Sequence, residues 1–306
     1  MKKVEQKTYT LHQHDMADFM QCPFRYYMNT VRCYEPKVLG NAINIGALFS
    51  KGVERLHTTG NIEESMLLVQ AAHDMKLLNA NSLNMSEDIN TDAGIVSAML
   101  TGYNKNYITN YKNNMQISKI VPEYKIEWVK EYCGMRFIYI CSLDGKVFDS
   151  ANDIYILEIK TAAQVQKDLL LELPTNFQIN SYWAAMVDSE KITPQGVLYR
   201  FVVKPTIRLK KTETLDQFRK RVIGEYETNT EKYFYEEKLF FDYKNVRAFN
   251  VDLDAAFQDL VRCLITDRWP KRGTACRTKF GSFCKNIHYC SNPSKETLET
   301  YYKLRG

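Results

Sequence analysis

Residues 142–162 read SLDGKVFDSANDIYILEIKTA. Two strand-like runs meet there: MRFIYICSL (135–143) ends just before it turns polar, and IYILEIK (154–160) is a short apolar run of the kind that fits a buried strand. Asp144 stands at the end of the first run, just before the turn-forming Gly145, and Glu158 ends the second. Adjacent strands bring the two carboxylates together. Residues two apart on a strand share a face, so Glu158 and Lys160 are expected to point with Asp144 into one cleft while Ile159 faces the core. Two hard carboxylates, helped by the main-chain carbonyl of Ile159, suit one or two Mg²⁺ or Mn²⁺ ions that clamp a phosphate and acidify a water. Lys160 beside that water can orient it, deprotonate it once its own pKa is depressed, or stabilise a pentacovalent phosphorane. The sequence leaves those roles open.

The triplet E-x-K is weak by itself, because it occurs at Glu123–Lys125, Glu158–Lys160 and Glu236–Lys238, and solvated charges on a surface hairpin explain a bare instance. Context selects the second. Around it, helical spacing runs from Asp15 to Arg32, Ala42 to His57, Ile62 to Leu78 and Glu87 to Asn113. The register becomes strand-like at Ile117, with IVPEYKIEWV following at 120–129. Leu170–Asp188 returns to helical spacing, GVLYRFVVK (196–204) reads as a strand, Thr212–Phe234 as a long polar helix, KLFFDY (238–243) as a short strand and Leu253–Asp267 as a last helix. This order predicts an α/β protein: an N-terminal helical region over 1–115, a mixed central sheet flanked by helices over 116–245, and a helix with a cysteine-rich segment over 246–306.

A chain of 306 residues, 45% hydrophobic and 25% charged, can bury one sizeable core or one core with a satellite lobe. No apolar run approaches the roughly 20 residues of a membrane span, and MKKVEQKTYTLHQHD lacks the apolar stretch of a secretory signal. A cytoplasmic protein with no membrane partner is expected. The net charge of +5, from 41 Lys and Arg against 36 Asp and Glu, tolerates nucleic acid without demanding it. Eight cysteines in a reducing compartment point to metal ligation before disulfides. CRTKFGSFCKNIHYC (276–290) places Cys276, Cys284 and Cys290 in one loop-rich stretch, with His288 as fourth ligand of a zinc site, or Cys22 of QCPFRYY as a fourth thiolate. Cys33, Cys133, Cys141 and Cys263 read as small buried hydrophobes. No G-x-x-x-x-G-K-[ST] loop occurs, which disfavours a helicase or polymerase motor.

The 142–162 segment, followed by FQINSYWAAM (177–186), resembles the PD-(D/E)XK nuclease superfamily, in its RecB-like branch with phage and CRISPR-associated exonucleases. The resemblance implies a restriction-endonuclease-like sheet and catalysis by Asp144, Glu158, Lys160 and Gln178, with Tyr182 in support on the same helix face as Gln178. In GALFSKGVE (46–54) it matches Gly46 and Glu54, but Ser50 stands where the branch carries a metal-binding histidine. Glu54 is then a further candidate metal ligand, His57 a weaker one, and Glu123 a supporting carboxylate on the first core strand. For the cysteines, the resemblance selects Cys22, Cys276, Cys284 and Cys290 around a [4Fe-4S] cluster, with structural Zn²⁺ as the alternative.

The function so implied is a Mg²⁺- or Mn²⁺-dependent DNA exonuclease of phage or bacterial recombination, repair or replication, working with a helicase or a single-strand annealing protein. The alternative, motivated by Ser50, is a catalytically weak DNA-end-binding or assembly subunit. Arg25, the Lys167 region and RLKKTETLDQFRKR (208–221) are candidate phosphate contacts.

Overall fold

One long strand organises the molecule. In the computed structural model, which describes residues 7–37, 45–78, 83–109, 117–165, 167–241, 243–277 and 283–305, β4 (Met135–Asp149) has neighbours along both edges. Along one edge it pairs antiparallel with β3 (Ile117–Tyr132) through a tight turn at Cys133–Gly134, where both residues take positive φ. Along the other, its first half pairs parallel with β1 (Thr8–His12) and its second half antiparallel with β5 (Ile154–Ala162). β5 pairs parallel with β6 (Gly196–Val203), and β6 antiparallel with β7 (Phe234–Leu239). The result is the mixed sheet that the order of segments predicts. A two-stranded ribbon of β2 (Tyr34–Pro36) and β8 (Tyr302–Leu304) joins the early chain to its C-terminal end.

Helices cover both faces. After β1 come α1 (Gln13–Gln21) and α2 (Pro23–Tyr26), then α3 (Ile45–Thr59), α4 (Ile62–Leu77) and α5 (Leu83–Tyr103). Between β5 and β6 lie α6 (Lys167–Glu172) and α7 (Phe177–Ala185); between β6 and β7 lie α8 (Leu215–Thr228) and α9 (Thr230–Tyr233). The C-terminal part holds α10 (Tyr243–Thr266), α11 (Ile287–Ser291) and α12 (Lys295–Tyr301). One apolar cluster joins α1, α7 and α10 to the sheet through Phe19, Phe137, Tyr139, Ile179 and Phe257; another joins α3, α5 and α8 to it through Phe49, Val96, Val202 and Phe218. Because both faces are covered, every residue of β6 is buried, which is why GVLYRFVVK reads as an apolar run rather than an alternation.

Several boundaries differ from the sequence expectation. The helix expected over Asp15–Arg32 breaks at Cys22, whose extended backbone (φ −160°, ψ 108°) is what the following Pro23 requires. β4 does not end before Gly145 but runs on to Asp149, with the turn at 150–153. A Cβ at Gly145 would meet Leu157 at 3.3 Å and the Val121 carbonyl at 3.4 Å, so this glycine serves close strand approach and not a turn. The polar helix expected over Thr212–Phe234 stops at Thr228, and the strand expected at KLFFDY starts earlier, at Phe234. α10 begins at Tyr243, ten residues before the predicted Leu253. Residues 42–44 and 110–113 of two expected helices lie outside the described residues. Cys33 and Cys133 are exposed, in left-handed backbone, contrary to the expectation that they are buried; Cys141 and Cys263 are buried. Among the described residues, no helix is long and apolar enough to cross a membrane.

Candidate active site

The central strands put the predicted residues side by side. Asp144 lies one step beyond the Gly145–Leu157 pair of β4 and β5, which brings it beside Glu158. On its other flank it falls between the Pro122–Gly145 and Tyr124–Leu143 pairs, across from Glu123. Three carboxylates therefore stand in a row on β3, β4 and β5. Asp144 accepts a hydrogen bond from the Ile159 backbone N–H at 2.6 Å, and Lys160 Nζ ion-pairs with Glu158 Oε1. Glu123 occupies left-handed backbone at φ 47°, a conformation that costs a non-glycine residue about 1–3 kcal/mol and persists where the surroundings enforce it.

A cavity of about 240 Å³ opens over this row. Glu123, Asp144, Ile159, Lys160 and Thr161 form its sheet side; Gly46, Phe49, Ser50, Val53 and Glu54 of α3 form the opposite wall. Ile159 packs toward the apolar cluster of α3 and α5, as expected, and also borders the cavity. Ser50 and Glu54 are both exposed on that wall, so the serine sits where the resemblance anticipates a histidine ligand. His57 does not border the cavity; its Nε2 lies 3.1 Å from the Tyr103 hydroxyl.

Glu158 lies behind Lys160 with 0% exposure. Among the described residues its one polar contact is the ion pair of Oε1 with Lys160. Burial, and next the charge of Asp144, push its pKa up to about 8 although Lys160 pulls the other way. Burial likewise raises Asp144, against Lys160 and the Ile159 N–H. Glu123 is raised by burial and then by the charges of Glu54 and Asp144. Lys160 is pulled down by burial, but Glu158 and Asp144 outweigh this and leave it raised. Three adjoining carboxyl groups are thus hindered from ionising together, with the 40% exposed Lys160 acting on the inner two and Lys125 on Glu123. Among the described residues no three His, Cys, Asp or Glu side chains are drawn into a ligating cluster; Glu54, Glu123 and Asp144 border the cavity and Glu158 does not, contrary to the expectation that it points into the cleft.

Gln178 and Tyr182 do share a face of α7, but the amide does not border the cavity. Gln178 Nε2 donates to the Tyr182 hydroxyl at 2.5 Å, and that hydroxyl donates to the Ser142 carbonyl at 2.5 Å, two residues before Asp144. Gln13 at the start of α1 donates to the same hydroxyl at 3.4 Å. Nothing in the sequence marked Gln13; its part follows only from how α1 packs on α7.

At the far end of α1, Cys22, Cys276, Cys284 and Cys290 line a second cavity, of about 260 Å³. The Cys284 N–H donates to the Cys276 carbonyl at 2.8 Å, and residues 278–282 between them lie outside the described residues. The Cys290 thiol is raised by burial, against Lys271, and by the neighbouring charges of Cys284, Cys22 and Cys276. His288 does not border this cavity; its ring stacks on Tyr301 at 4.3 Å. Arg25 is engaged internally with Asp18, Gln21 and the Ala275 carbonyl. In the basic 208–221 stretch, Arg221 pairs with Glu213 at 2.6 Å, and the Lys167 side chain lies outside the described residues.

Among solved structures the chain is similar to SSO0001 (11% identity over 82% of this chain and 77% of that one, TM-score 0.29). It is similar also to a phage-related exonuclease from Haemophilus somnus 129PT (12%, 66% and 83%, TM-score 0.32) and to an alkaline exonuclease from Laribacter hongkongensis (12%, 72% and 93%, TM-score 0.24). Likenesses this distant carry no argument about fold or activity. No curated protein matches the chain significantly. The sequence profile of the PD-(D/E)XK nuclease superfamily, however, matches residues 13–291, nearly the whole chain and both cavities' residues. The chain belongs to the PD-(D/E)XK nuclease superfamily.

Proposed function

We propose that this protein is a divalent-cation-dependent deoxyribonuclease that degrades DNA from its ends, in recombination, repair or replication of a phage or bacterium. One observation carries the reading: Asp144, Glu158 and Lys160 adjoin on neighbouring strands beneath a cavity, with the Glu158 carboxylate buried and, among the described residues, met only by the ion pair to Lys160. A buried, mutually repelling carboxylate pair fits a hard divalent cation, because ligation supplies the charge that burial withholds. Asp144, Glu158 and the Ile159 carbonyl would hold Mg²⁺ or Mn²⁺, with Glu54 on the facing wall. When bound, such an ion neutralises a phosphate and acidifies a water.

The chain's own residues do the rest. Asp144, fixed by the Ile159 N–H, presents its carboxylate in one orientation. Lys160 is held protonated between two carboxylates, which favours its use as a cation that meets the scissile phosphate over its use as a base. Gln178, Gln13 and Tyr182 brace the middle of β4 through the Ser142 carbonyl, two residues before Asp144.

Four thiols around one cavity are a soft donor set that suits a [4Fe-4S] cluster, with Zn²⁺ as the alternative. A group bound there would staple α2 to the C-terminal segment and so supply folding free energy. That segment also carries a local excess of positive charge: residues 268–305 hold nine Lys and Arg against two Glu, a net of +7, which leaves the remainder at −2. A DNA backbone is drawn to this side of the molecule. The protein's partners would be a helicase, which separates strands, or a single-strand annealing protein, which takes up the single strand that digestion exposes.

The test is degradation of end-labelled linear DNA, single- and double-stranded, with circular controls, in Mg²⁺ or Mn²⁺, by the native protein and by Lys160→Ala and Glu158→Ala. Loss of activity in both folded variants, and resistance of circles, supports the reading. Binding of DNA ends without cleavage by the native protein would instead favour an assembly subunit, with Ser50 as the lost ligand.

A further inference from the structure

We infer that Tyr103 and Arg200 are positioning residues that set the width of the cation-binding cleft, by tying α3, its outer wall, to β6, the strand beside Glu158 and Lys160; this rests on the metal-nuclease reading above. Arg200 is a lone cation in a strand that is otherwise apolar. It is in register with Ile159 of β5 on one side and with Glu236 of β7 on the other, and it is fully buried. A buried guanidinium carries a large desolvation penalty unless its donors are met. Its Nε donates to Glu236 Oε2 at 2.8 Å, its Nη1 donates to the Tyr103 hydroxyl at 2.9 Å, and its carbon lies 4.4 Å from the centre of the Tyr107 ring.

Arginine has no acceptor, so the Tyr103 oxygen accepts from it, and the same hydroxyl is hydrogen-bonded to His57 Nε2, 3.1 Å away. The bonds run in series from β7 through β6 and α5 to α3. His57 lies one turn beyond Glu54 on α3, and Phe49, which borders the cavity, packs edge-on against Tyr103 at 5.9 Å between ring centres. Tyr103, Arg200 and His57 do not themselves border the cavity. Their influence on a bound cation therefore passes through the separation of Glu54 and Ser50 from Asp144 and Lys160, which ligation requires to be held closely.

The experiment is direct Mn²⁺ binding, read by electron paramagnetic resonance of the free ion, with circular-dichroism melts of the same samples. Tyr103→Phe removes one oxygen and almost no volume; His57→Phe removes the ring nitrogen bonded to Tyr103, whereas His57→Gln keeps a hydrogen-bonding group in its amide. Tyr103→Phe and His57→Phe are expected to bind Mn²⁺ about tenfold more weakly while staying folded, and His57→Gln to remain within about threefold of native. Unchanged Mn²⁺ affinity in Tyr103→Phe and His57→Phe, with only a lower melting temperature, overturns the inference, since a merely structural network moves stability alone. If Tyr103→Phe does not fold, the two His57 variants decide. A native protein that binds no Mn²⁺ overturns the nuclease reading and this inference together; a native protein that binds and cleaves, with variants that bind normally, overturns this inference alone.

Discussion

Replacing Glu158 by glutamine is expected to make the metal-free protein more stable while abolishing its nuclease activity. The carboxylate has 0% exposure and is met by Lys160 alone among the described residues, and burial followed by the charge of Asp144 moves its pKa from 4.5 to about 8. A carboxyl group raised by folding favours the folded state fully below pH 4.5, and that contribution fades as the pH climbs toward about 8. At neutral pH the loss amounts to about 3 kcal/mol, taking about 1.4 kcal/mol for each pH step above the unfolded value. Glutamine removes the slope. It also gives up the ion pair with Lys160, whose ammonium is left with only an amide oxygen to donate to, so the net gain should be about 1–2 kcal/mol. Urea unfolding in EDTA at mildly acidic and mildly alkaline pH measures this: the variant should match the native protein in acid and exceed it in alkali. Saturating Mg²⁺ should reverse the order, since a hundredfold excess over Kd stabilises the native protein by about 2.7 kcal/mol and the variant by little. A variant less stable than native at alkaline pH, or equally stabilised by Mg²⁺, refutes the view of Glu158 as a strained ligand.

Mg²⁺ binding near neutral pH should release close to one proton, because the cation displaces the one that Glu158 holds; titration calorimetry in buffers of different ionisation enthalpy counts it, and a buffer-independent heat contradicts it. Lys160→Ala should retain the fold and lose about 10²- to 10⁴-fold in cleavage rate, with Lys160→Arg recovering little, as single-turnover assays will show. Cys22→Ala should lower both the bound iron or zinc and the melting temperature, by about 5 °C or more, which elemental analysis and calorimetry read. Gly52→Ala puts a Cβ 2.6 Å from Leu100 where α3 crosses α5, and should cost about 1–3 kcal/mol in thermal unfolding, a helix-propensity gain notwithstanding.

The strands of the catalytic hairpin were legible because each carries its own local signal: apolar runs of strand length closed by charged residues. What failed there was the meaning of Gly145. A glycine after a strand-like run suggests a turn, but here it permits β3 and β5 to close on β4, and only the three-strand register reveals that. Helix ends were lost for a similar reason. At Cys22 the proline rule was available in QCPFRYY yet apolar spacing carried through it, whereas the end of α8 at Thr228 has no comparable breaker and is set by β7 pairing with β6. Of the site, the carboxylates and lysine follow from motif and register; the bracing of Ser142 by Tyr182, and hence Gln13, follows only from helix packing. Arg200 did leave a trace, as a lone cation inside GVLYRFVVK: such a residue in a fully buried strand has to be paired.

The three E-x-K triplets show why spacing alone could not find the site. All three lie on strands of the same sheet, and the alternation that gives Glu and Lys a common face is interrupted only at Glu123, whose backbone is left-handed. Their surroundings separate them. Glu236 meets the fixed fork of a buried arginine, and Lys238 lies 4.6 Å from the centre of the Tyr155 ring, so that triplet is satisfied by the protein itself. Glu123 borders the cavity while Lys125 is exposed, which leaves half a site. Glu158 alone combines complete burial, a second carboxylate beside it and only a partly exposed lysine to answer both. The difference is one of unmet charge, and it arises where β3, β4 and β5 bring together residues that are up to 35 positions apart in the chain. A fold tolerates such a deficit when the missing charge arrives with the ligand, and that is the physical content of assigning catalysis to this triplet and to neither of the others.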